Sequence, residues 1–510
     1  MATAVNDPGV IDLTGQRADW HDRQMTTEAL TMVRNYVGGS WQAPNVDHID
    51  TTDPATGDLL GRVPLSDAEA VDAAVQAAKA AFPAWRATSP LVRARALFAL
   101  RQKLVDHRDE LARLVTLDMG KTLDDAYAEV GRGIESVENA CGAGTLMKGE
   151  NLEGVATNVD VEMVRQPVGV VAAITPFNFP AMIPLWFLPY AIACGNTFVL
   201  KPSEQDPLTS VRIFELIDEI EEIPSGVVNL VHGAHDAVNA LLEHPDVDAI
   251  SFVGSAKTGR YIYERSAQTG KRVQALGGAK NAMVVMPDAD LELTLNGVLS
   301  SAFGAAGQRC LAGSLLVLVG PQADQDRWLD TIVTAAKKLK VGAGSDPGTD
   351  VCPLVSPAAR ERVEDEIDKA LAAGAQLILD GRRGGGTGGA ELGPTVITGA
   401  SADSHVATEE LFGPVVTVLT APDLSSAIEL VNHGRYGNAS SIFTTSGKAA
   451  REYRFGVEAG MVGVNIGVAA PVAWFPFAGW KDSFDGDLHA NGTDAVEFYT
   501  RKKVVTSRWS

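Results

Sequence analysis

Cys310 stands in FGAAGQRCLAGS, residues 303–314, with Arg309 directly before it and Gly304, Gly307 and Gly313 around it. A thiol attacks only as its thiolate, and a free cysteine with a pKa of about 8.5 is ionised to a few per cent at neutral pH. A neighbouring cation or a helix N-terminus raises that fraction. The glycines leave the backbone open to the close approach of a ligand. The competing reading is a core thiol, the usual fate of a free cysteine. Two further stretches could bind an anion or a sugar. GSAKTG (254–259) follows the apolar run AISFV and precedes RYIYERSA. A strand, a glycine turn and a helix N-terminus would aim free N–H groups, with Ser255 among them, at a negative charge. The run is not a full GxGxxG. LKPSE (200–204) also leaves an apolar strand, where ligands of open α/β sheets bind, and Glu204 beside Lys201 could accept from a ribose hydroxyl. Alone, that pair reads first as a surface ion pair.

The elements that must carry these residues follow from periodicity. DAEAVDAAVQAAKAAFPAW predicts a helix capped by Ser66, and residues 90–120 predict one long helix ending at Gly120. A third helix covers roughly 122–141, and residues 151–166 alternate like a strand or hairpin. Continuous apolar runs at 168–175, 197–201, 227–233 and 249–254 alternate with helical stretches. A second series runs through 282–286, 314–320, 414–420 and 440–445. Such runs predict parallel sheets buried on both faces, an α/β fold. The stretch 181–200 has the length of a membrane span. Pro184, Pro189, Gly195 and Asn196 interrupt it, and it reads as a buried helix, a turn and a strand. The Gly-rich segment 381–391 lacks the ending of a phosphate loop and reads as a surface hairpin turn.

A chain of 510 residues calls for two or three domains, and 45% apolar with 21% charged residues is ordinary for a soluble globular protein. A net charge of −21 argues against nucleic acid, which needs a basic face. The four cysteines, Cys141, Cys194, Cys310 and Cys352, show neither a CxxC pair nor metal-ligand spacing, so a reducing compartment and no metal are expected. Asp7, Asp12, Asp19, Asp22 and Glu28 are unlike a secretory or transit signal, which makes the cytoplasm the expected location.

The runs TPFNFP (175–180), GNTFVLKPSE (195–204), SFVGSAKTG (251–259), GQRCLAGS (307–314) and EELFGPVV (409–416) together resemble the aldehyde dehydrogenase superfamily. They occur in that family's order across most of residues 35–510. The resemblance implies that Cys310 is the nucleophile, with Asn178 and the Cys310 backbone N–H as the oxyanion hole. It implies NAD as cofactor, with Glu410 at the nicotinamide ribose, Lys201 and Glu204 at the adenine ribose, Ser255 at the pyrophosphate, and Thr175 and Phe177 of TPFNFP also lining the cofactor site. Glu204 at the ribose favours NAD over NADP, because a 2′-phosphate would meet a carboxylate.

Most members of that family hydrolyse their thioester with the glutamate of a Glu-Leu-Gly-Gly run. Here residues 275–278 read ALGG. Alignment on the glycines puts Ala275 at the base position, and alignment on MPDAD (286–290) puts Leu276 there. Neither accepts a proton, so water has no local base. This departure, with KNAMVVMPDAD (280–290), NHGRYGNASSIFTT (432–445) and VEFYTRKKVVTSRW (496–509), resembles the coenzyme-A-acylating methylmalonate-semialdehyde dehydrogenases. That group usually carries Asn where this chain is apolar. Its substrates carry a carboxylate, which Arg309 and Arg132 could grip with their planar forks. The implied reaction is NAD-dependent oxidation with decarboxylation of methylmalonate or malonate semialdehyde to propionyl- or acetyl-coenzyme A.

The implied fold has a Rossmann-type NAD-binding domain (31–148 and 167–278), an α/β catalytic domain (279–480) and a small β oligomerisation element (149–166 and 481–510), after an N-terminal extension (1–30). An exposed strand edge in the tail would make a homodimer or homotetramer. The rival expectations are a hydrolytic or other-substrate aldehyde dehydrogenase, and a non-catalytic NAD-binding protein that kept the fold.

Overall fold

The computed structural model describes residues 31–383 and 389–510. The expected N-terminal extension and the middle of the Gly-rich segment lie outside the described residues. The parts of that segment that are described lie between strands Gln376–Leu379 and Thr395–Thr398, which pair antiparallel.

The first run series builds an eight-stranded sheet. Its parallel centre runs in space Arg272–Leu276, Ala249–Val253, Val170–Ile174, Thr197–Lys201, Val228–Leu230. Val170–Ile174, first in sequence among these, therefore has its successor on one side and a later strand on the other. That is a topological switch point, and the crevice beyond its carboxyl end is where open α/β sheets bind ligands. TPFNFP leaves one side of this crevice and GSAKTG the other. Phe484–Gly486, from the tail, pairs antiparallel with Arg272–Leu276 at the edge of this sheet.

The second series builds a seven-stranded sheet ordered Gln376–Leu379, Thr395–Thr398, Val415–Ala421, Gly313–Val319, Asn281–Val285, Ala439–Phe443, Met461–Val464. All its pairs are parallel except the first. Burial on both faces explains the unbroken apolar runs of the central strands. A three-stranded antiparallel sheet joins Glu150–Ala156, Val159–Pro167 and Thr500–Arg508. Glu150–Ala156 is exposed along its whole length, and Leu152, Val155, Val504 and Trp509 are uncovered.

Two helix expectations change. Asp67, not Ser66, caps helix Ala68–Ala87, its carboxylate accepting from Ala70 N, while Ser66 accepts from the Asn35 amide. Residues 90–120 form two helices, Pro90–Asp106 and Arg108–Met119, broken at His107. The break lets Asp109 and Glu110 stand in the first turn of the second helix, where the dipole favours them. Gly120 ends that helix at φ 90, a left-handed cap that glycine adopts without a Cβ penalty. The apolar stretch 181–200 folds as the fully buried helix Met182–Ala193, a turn and strand Thr197–Lys201. No described helix is long and apolar enough to cross a membrane.

Candidate active site

Helix Leu291–Phe303 runs into a tight turn in which Ala305 and Ala306 take φ of 47 and 52, and Cys310 follows before strand Gly313–Val319. Left-handed backbone at two successive alanines is strained, so the surroundings must hold it. Gln308 does much of this. Its Nε2 donates to Pro353 O at 3.4 Å, and its Oε1 accepts from Val355 N at 3.0 Å. The Cys310 carbonyl accepts from Asn281 Nδ2 at 2.9 Å and Asn438 Nδ2 at 2.8 Å. Cys310 is thus pinned through its main chain from strand Asn281–Val285 and from the residue just before strand Ala439–Phe443.

The three glycines around Cys310 make room for protein rather than for a ligand. A Cβ on Gly304 would meet the Arg309 guanidinium at 2.7 Å, one on Gly307 the Gly413 carbonyl at 2.2 Å, and one on Gly313 the Met283 side chain at 2.5 Å. Gly307 also requires φ 70.

The Cys310 side chain is partly exposed. Burial pushes its thiol up to about 12, the negative charge of Glu410 adds to this, and the N–H groups of Cys310 and Leu311 and the Arg309 charge pull the other way. The resting group is therefore a thiol. The Cys310 and Leu311 N–H groups that oppose the shift face the sulfur.

Asn178 is buried, and its Nδ2 donates to Gln308 O at 2.9 Å, which brings the TPFNFP loop against the Cys310 turn. A primary amide has two N–H groups, so one remains for a substrate oxygen. The Asn178 backbone is held in turn. Its carbonyl accepts from Lys121 Nζ at 2.7 Å, Lys121 pairs with Glu129 Oε2 at 2.5 Å, and Glu129 Oε1 accepts from Ala181 N and Met182 N at 2.8 and 3.1 Å. Both ionic side chains are fully buried, so neither tolerates loss of the other.

The sequence reading passed over Lys121, Glu129, Gln308, Asn281 and Asn438. Asn281 and Asn438 lie inside runs that carried the resemblance. Asp125, Glu129 and Arg132 are spaced as one face of a helix, which is the signal that could have marked Leu123–Cys141 as a wall of the site.

The cofactor candidates line the crevice from both sides. Ser255 caps helix Ala256–Gln268, accepting from Thr258 N. A Cβ on Gly278 would lie 2.8 Å from Glu410 Oε2 and 3.5 Å from Ala256 N, so the Glu410 carboxyl reaches almost to that helix N-terminus. Burial pushes Glu410 up to about 8, against the Ala279 N–H and the charges of Lys280 and Arg362. Phe177 meets Phe412 edge to face at 5.7 Å, joining the TPFNFP and EELFGPVV loops. Thr175 Oγ1 is buried with no protein partner, an orphaned hydroxyl at the switch point. Lys201 Nζ pairs with Glu204 Oε2 at 2.9 Å. Beside them, burial and then the Lys201 charge push His232 down to about 3, so it stays neutral. A helix N-terminus, a buried carboxyl close to it and an orphaned hydroxyl at the switch point fit a dinucleotide.

The arginines are both engaged. Arg309 Nη2 pairs with Asp125 Oδ1 at 2.6 Å. Arg132 pairs with Glu135 at 2.8 Å and donates to Pro471 O at 2.7 Å. The aromatic loop 471–484 divides in two: Phe477 is buried against Trp186 at 4.8 Å, while Trp474 and Phe475 are exposed.

Strand Arg272–Leu276 separates the two alignments at the base position. Alternate residues of a strand face opposite ways. Ala275 packs with Phe252 and Ile262 on one face of the sheet, whereas Leu276 belongs to the apolar cluster on which Cys310 rests. Leu276 therefore shares the Cys310 face of the sheet, and neither it nor Ala275 carries a group that accepts a proton.

Residues 41–505 match the model of the aldehyde dehydrogenase family. Malonate-semialdehyde dehydrogenase 2 of Geobacillus kaustophilus (strain HTA426) is 50% identical over 488 residues, 95% of this chain and 100% of that protein. The crystal structure of methylmalonate-semialdehyde dehydrogenase (DddC) from Oceanimonas doudoroffii superposes with a TM-score of 0.92 at 44% identity, covering 94% of this chain and 99% of that one. A structure from Sinorhizobium meliloti 1021, assigned as a methylmalonate-semialdehyde dehydrogenase and complexed with NAD, gives 0.92 at 41% identity with the same coverage. The chain belongs to the aldehyde dehydrogenase family.

Proposed function

We propose that this enzyme oxidises malonate or methylmalonate semialdehyde with NAD and transfers the acyl group to coenzyme A. The observation that carries the coenzyme A step is that Ala275 and Leu276, on the two faces of their strand, are both apolar where a hydrolytic enzyme needs a carboxylate. The relatives' names and the NAD complex of one of them support the substrate and the cofactor.

In this reading NAD sits across the switch-point crevice. Ser255 and its helix N-terminus take the pyrophosphate, Glu410 the nicotinamide ribose, Lys201 and Glu204 the adenine ribose, and Thr175 and Phe177 wall the site. NAD, when bound, accepts a hydride. Arg309 and Arg132 hold the substrate carboxylate, and Cys310 attacks the aldehyde carbon as thiolate. Asn178 Nδ2 and the Cys310 N–H stabilise the oxyanion, a contribution of about 2.7–4 kcal/mol per donor. Loss of hydride leaves a thioester on Cys310. The substrate carboxylate is then β to the thioester carbonyl. Its C–C bond breaks, CO₂ leaves, and the electron pair passes into the carbonyl as an enolate that takes up a proton. Coenzyme A thiolate displaces the acetyl or propionyl group and returns Cys310 as thiolate. The exposed three-stranded sheet would pair with a second copy to make a dimer or tetramer, working in the cytoplasm.

Glu410 favours one second reading. Its carboxyl, whose charge acts on Cys310 and which burial pushes up to about 8, becomes above that pH a base that a hydrolytic enzyme could recruit. NADH formation from each semialdehyde, with and without coenzyme A, separates the two. Sustained turnover only with coenzyme A, with release of CO₂ and acyl-coenzyme A, supports the acylating enzyme. Equal turnover without it overturns that reading and leaves the dehydrogenase.

A further inference from the structure

Arg309 does not hang free beside Cys310. Its side chain is 16% exposed, and Nη2 donates to Asp125 Oδ1 at 2.6 Å. A Cβ on Gly304 would lie 2.7 Å from Nη1, 2.9 Å from Cζ and 2.9 Å from Nη2. Three nearly equal distances mean that the guanidinium fills the place a Gly304 side chain would take. Only a long contact to Ser300 O, 3.4 Å, engages Nη1. The fork is therefore fixed in place and in direction while its Nε has no hydrogen bond among the described residues.

Asp125 is itself fixed. It stands in the first turn of helix Leu123–Cys141, its N–H bonded to the capping Thr122 hydroxyl at 3.2 Å. Its second oxygen accepts from Ala305 N at 3.3 Å, inside the strained turn that leads to Cys310. Burial opposes its ionisation, but Arg309 and Lys121 hold its carboxyl below the usual range, so it is charged at neutral pH. Arg132 lies seven residues further along the same helix, about 10 Å of rise. One helix thus carries one arginine and orients the other.

We propose that Asp125 is a positioning residue for carboxylate selectivity: it holds the Arg309 fork over Gly304 with its free edge available to the substrate carboxylate, and ties that fork to the turn that presents Cys310. A lone arginine side chain would lose its rotamer freedom on binding the substrate, whereas a fork already held loses little. The inference rests on the reading that Arg309 binds the carboxylate.

The test compares kcat/KM for malonate semialdehyde with that for propanal, which has no carboxylate, in the full-length enzyme with NAD and coenzyme A. Asp125→Asn should lower the semialdehyde-to-propanal ratio about tenfold or more, mainly through KM for the semialdehyde. In an Arg309→Leu background the same substitution should change the ratio less than about twofold, because Asp125 acts through Arg309. Asp125→Glu should restore part of the ratio. Gly304→Ala, whose new methyl would meet guanidinium atoms, should reproduce the effect and decides the matter if Asp125→Asn does not fold. An equal loss on both aldehydes, or a full loss of ratio in the Arg309→Leu background, overturns the proposal. If Arg309→Leu itself leaves the ratio unchanged, the assignment of Arg309 to the substrate fails first, and Asp125 with it.

Discussion

Cys310 and Cys352 lie in two neighbouring segments, and burial pushes both thiols up to about 12. The segments touch: Gln308 bridges to Pro353 and Val355. Yet Cys352 is wholly buried, with the charges of Asp125, Lys121 and Arg309 acting on it from around. Cys310 is partly exposed, faces two backbone N–H groups, and has a side-chain amide aimed at its turn. Resting ionisation does not distinguish the proposed nucleophile from a structural thiol here. Access and preplaced donors do, because they act on the charge that would develop during reaction rather than on the charge already present. The charge of Glu410 opposes the thiolate, so its protonation bears directly on how readily Cys310 ionises.

Removing the sulfurs one at a time tests the comparison most severely. Cys310→Ala should cut NADH formation by about 10⁴-fold or more, since no thioester can form. Cys352→Ala should leave kcat within about twofold and cost about 1 kcal/mol in urea unfolding, as expected for a small buried truncation. A large loss of kcat in Cys352→Ala would mean that the second thiol takes part in the chemistry.

Removing the donor comes next. Asn178→Ala should lower kcat by about 10²–10³ with a much smaller change in KM, seen in single-turnover NADH bursts. A pure KM effect would place the amide on the ground state instead.

Alkylation of Cys310 by iodoacetamide, without cofactor, gives the smallest effect and the most direct one. With the thiol pushed up to about 12, the rate should climb roughly tenfold per pH unit from pH 7 to pH 9.5 without a plateau. Glu410 keeps its proton below about 8 and is charged above it. Glu410→Gln should therefore speed alkylation several-fold at pH 9 and little at pH 6.5. A plateau near pH 8 in the wild-type enzyme would show that the resting cysteine is already activated. Cys352 should be labelled only after unfolding.

Much of the fold was legible because its strands are buried on both faces. A strand such as Thr197–Lys201 or Val415–Ala421 shows as an unbroken apolar run, and the helix between two such runs dictates a parallel pair. The break at His107 was not legible, since apolar residues keep helical spacing across it. The site residues divide in the same way. Cys310, Asn178 and Glu410 stand in distinctive runs of residues. Lys121 and Glu129 do not, because a buried ion pair is a relation between a loop and a helix face and leaves no local pattern. The glycines around Cys310 were read as space for a ligand, and only the fold shows that Arg309, Gly413 and Met283 occupy that space.

By itself the sequence determined the α/β class and the family, and it supplied the candidate reacting groups, since these depend on local periodicity and on short runs whose chemistry is contained in their own residues. The tertiary structure alone decided that Leu276 packs in the cluster Cys310 rests against while Ala275 packs on the opposite face, and that Asp125 pairs with Arg309. Both are facts about which side of an element meets which neighbour. A strand turns over every residue and an arginine reaches several ångströms in any direction, so only packing can choose.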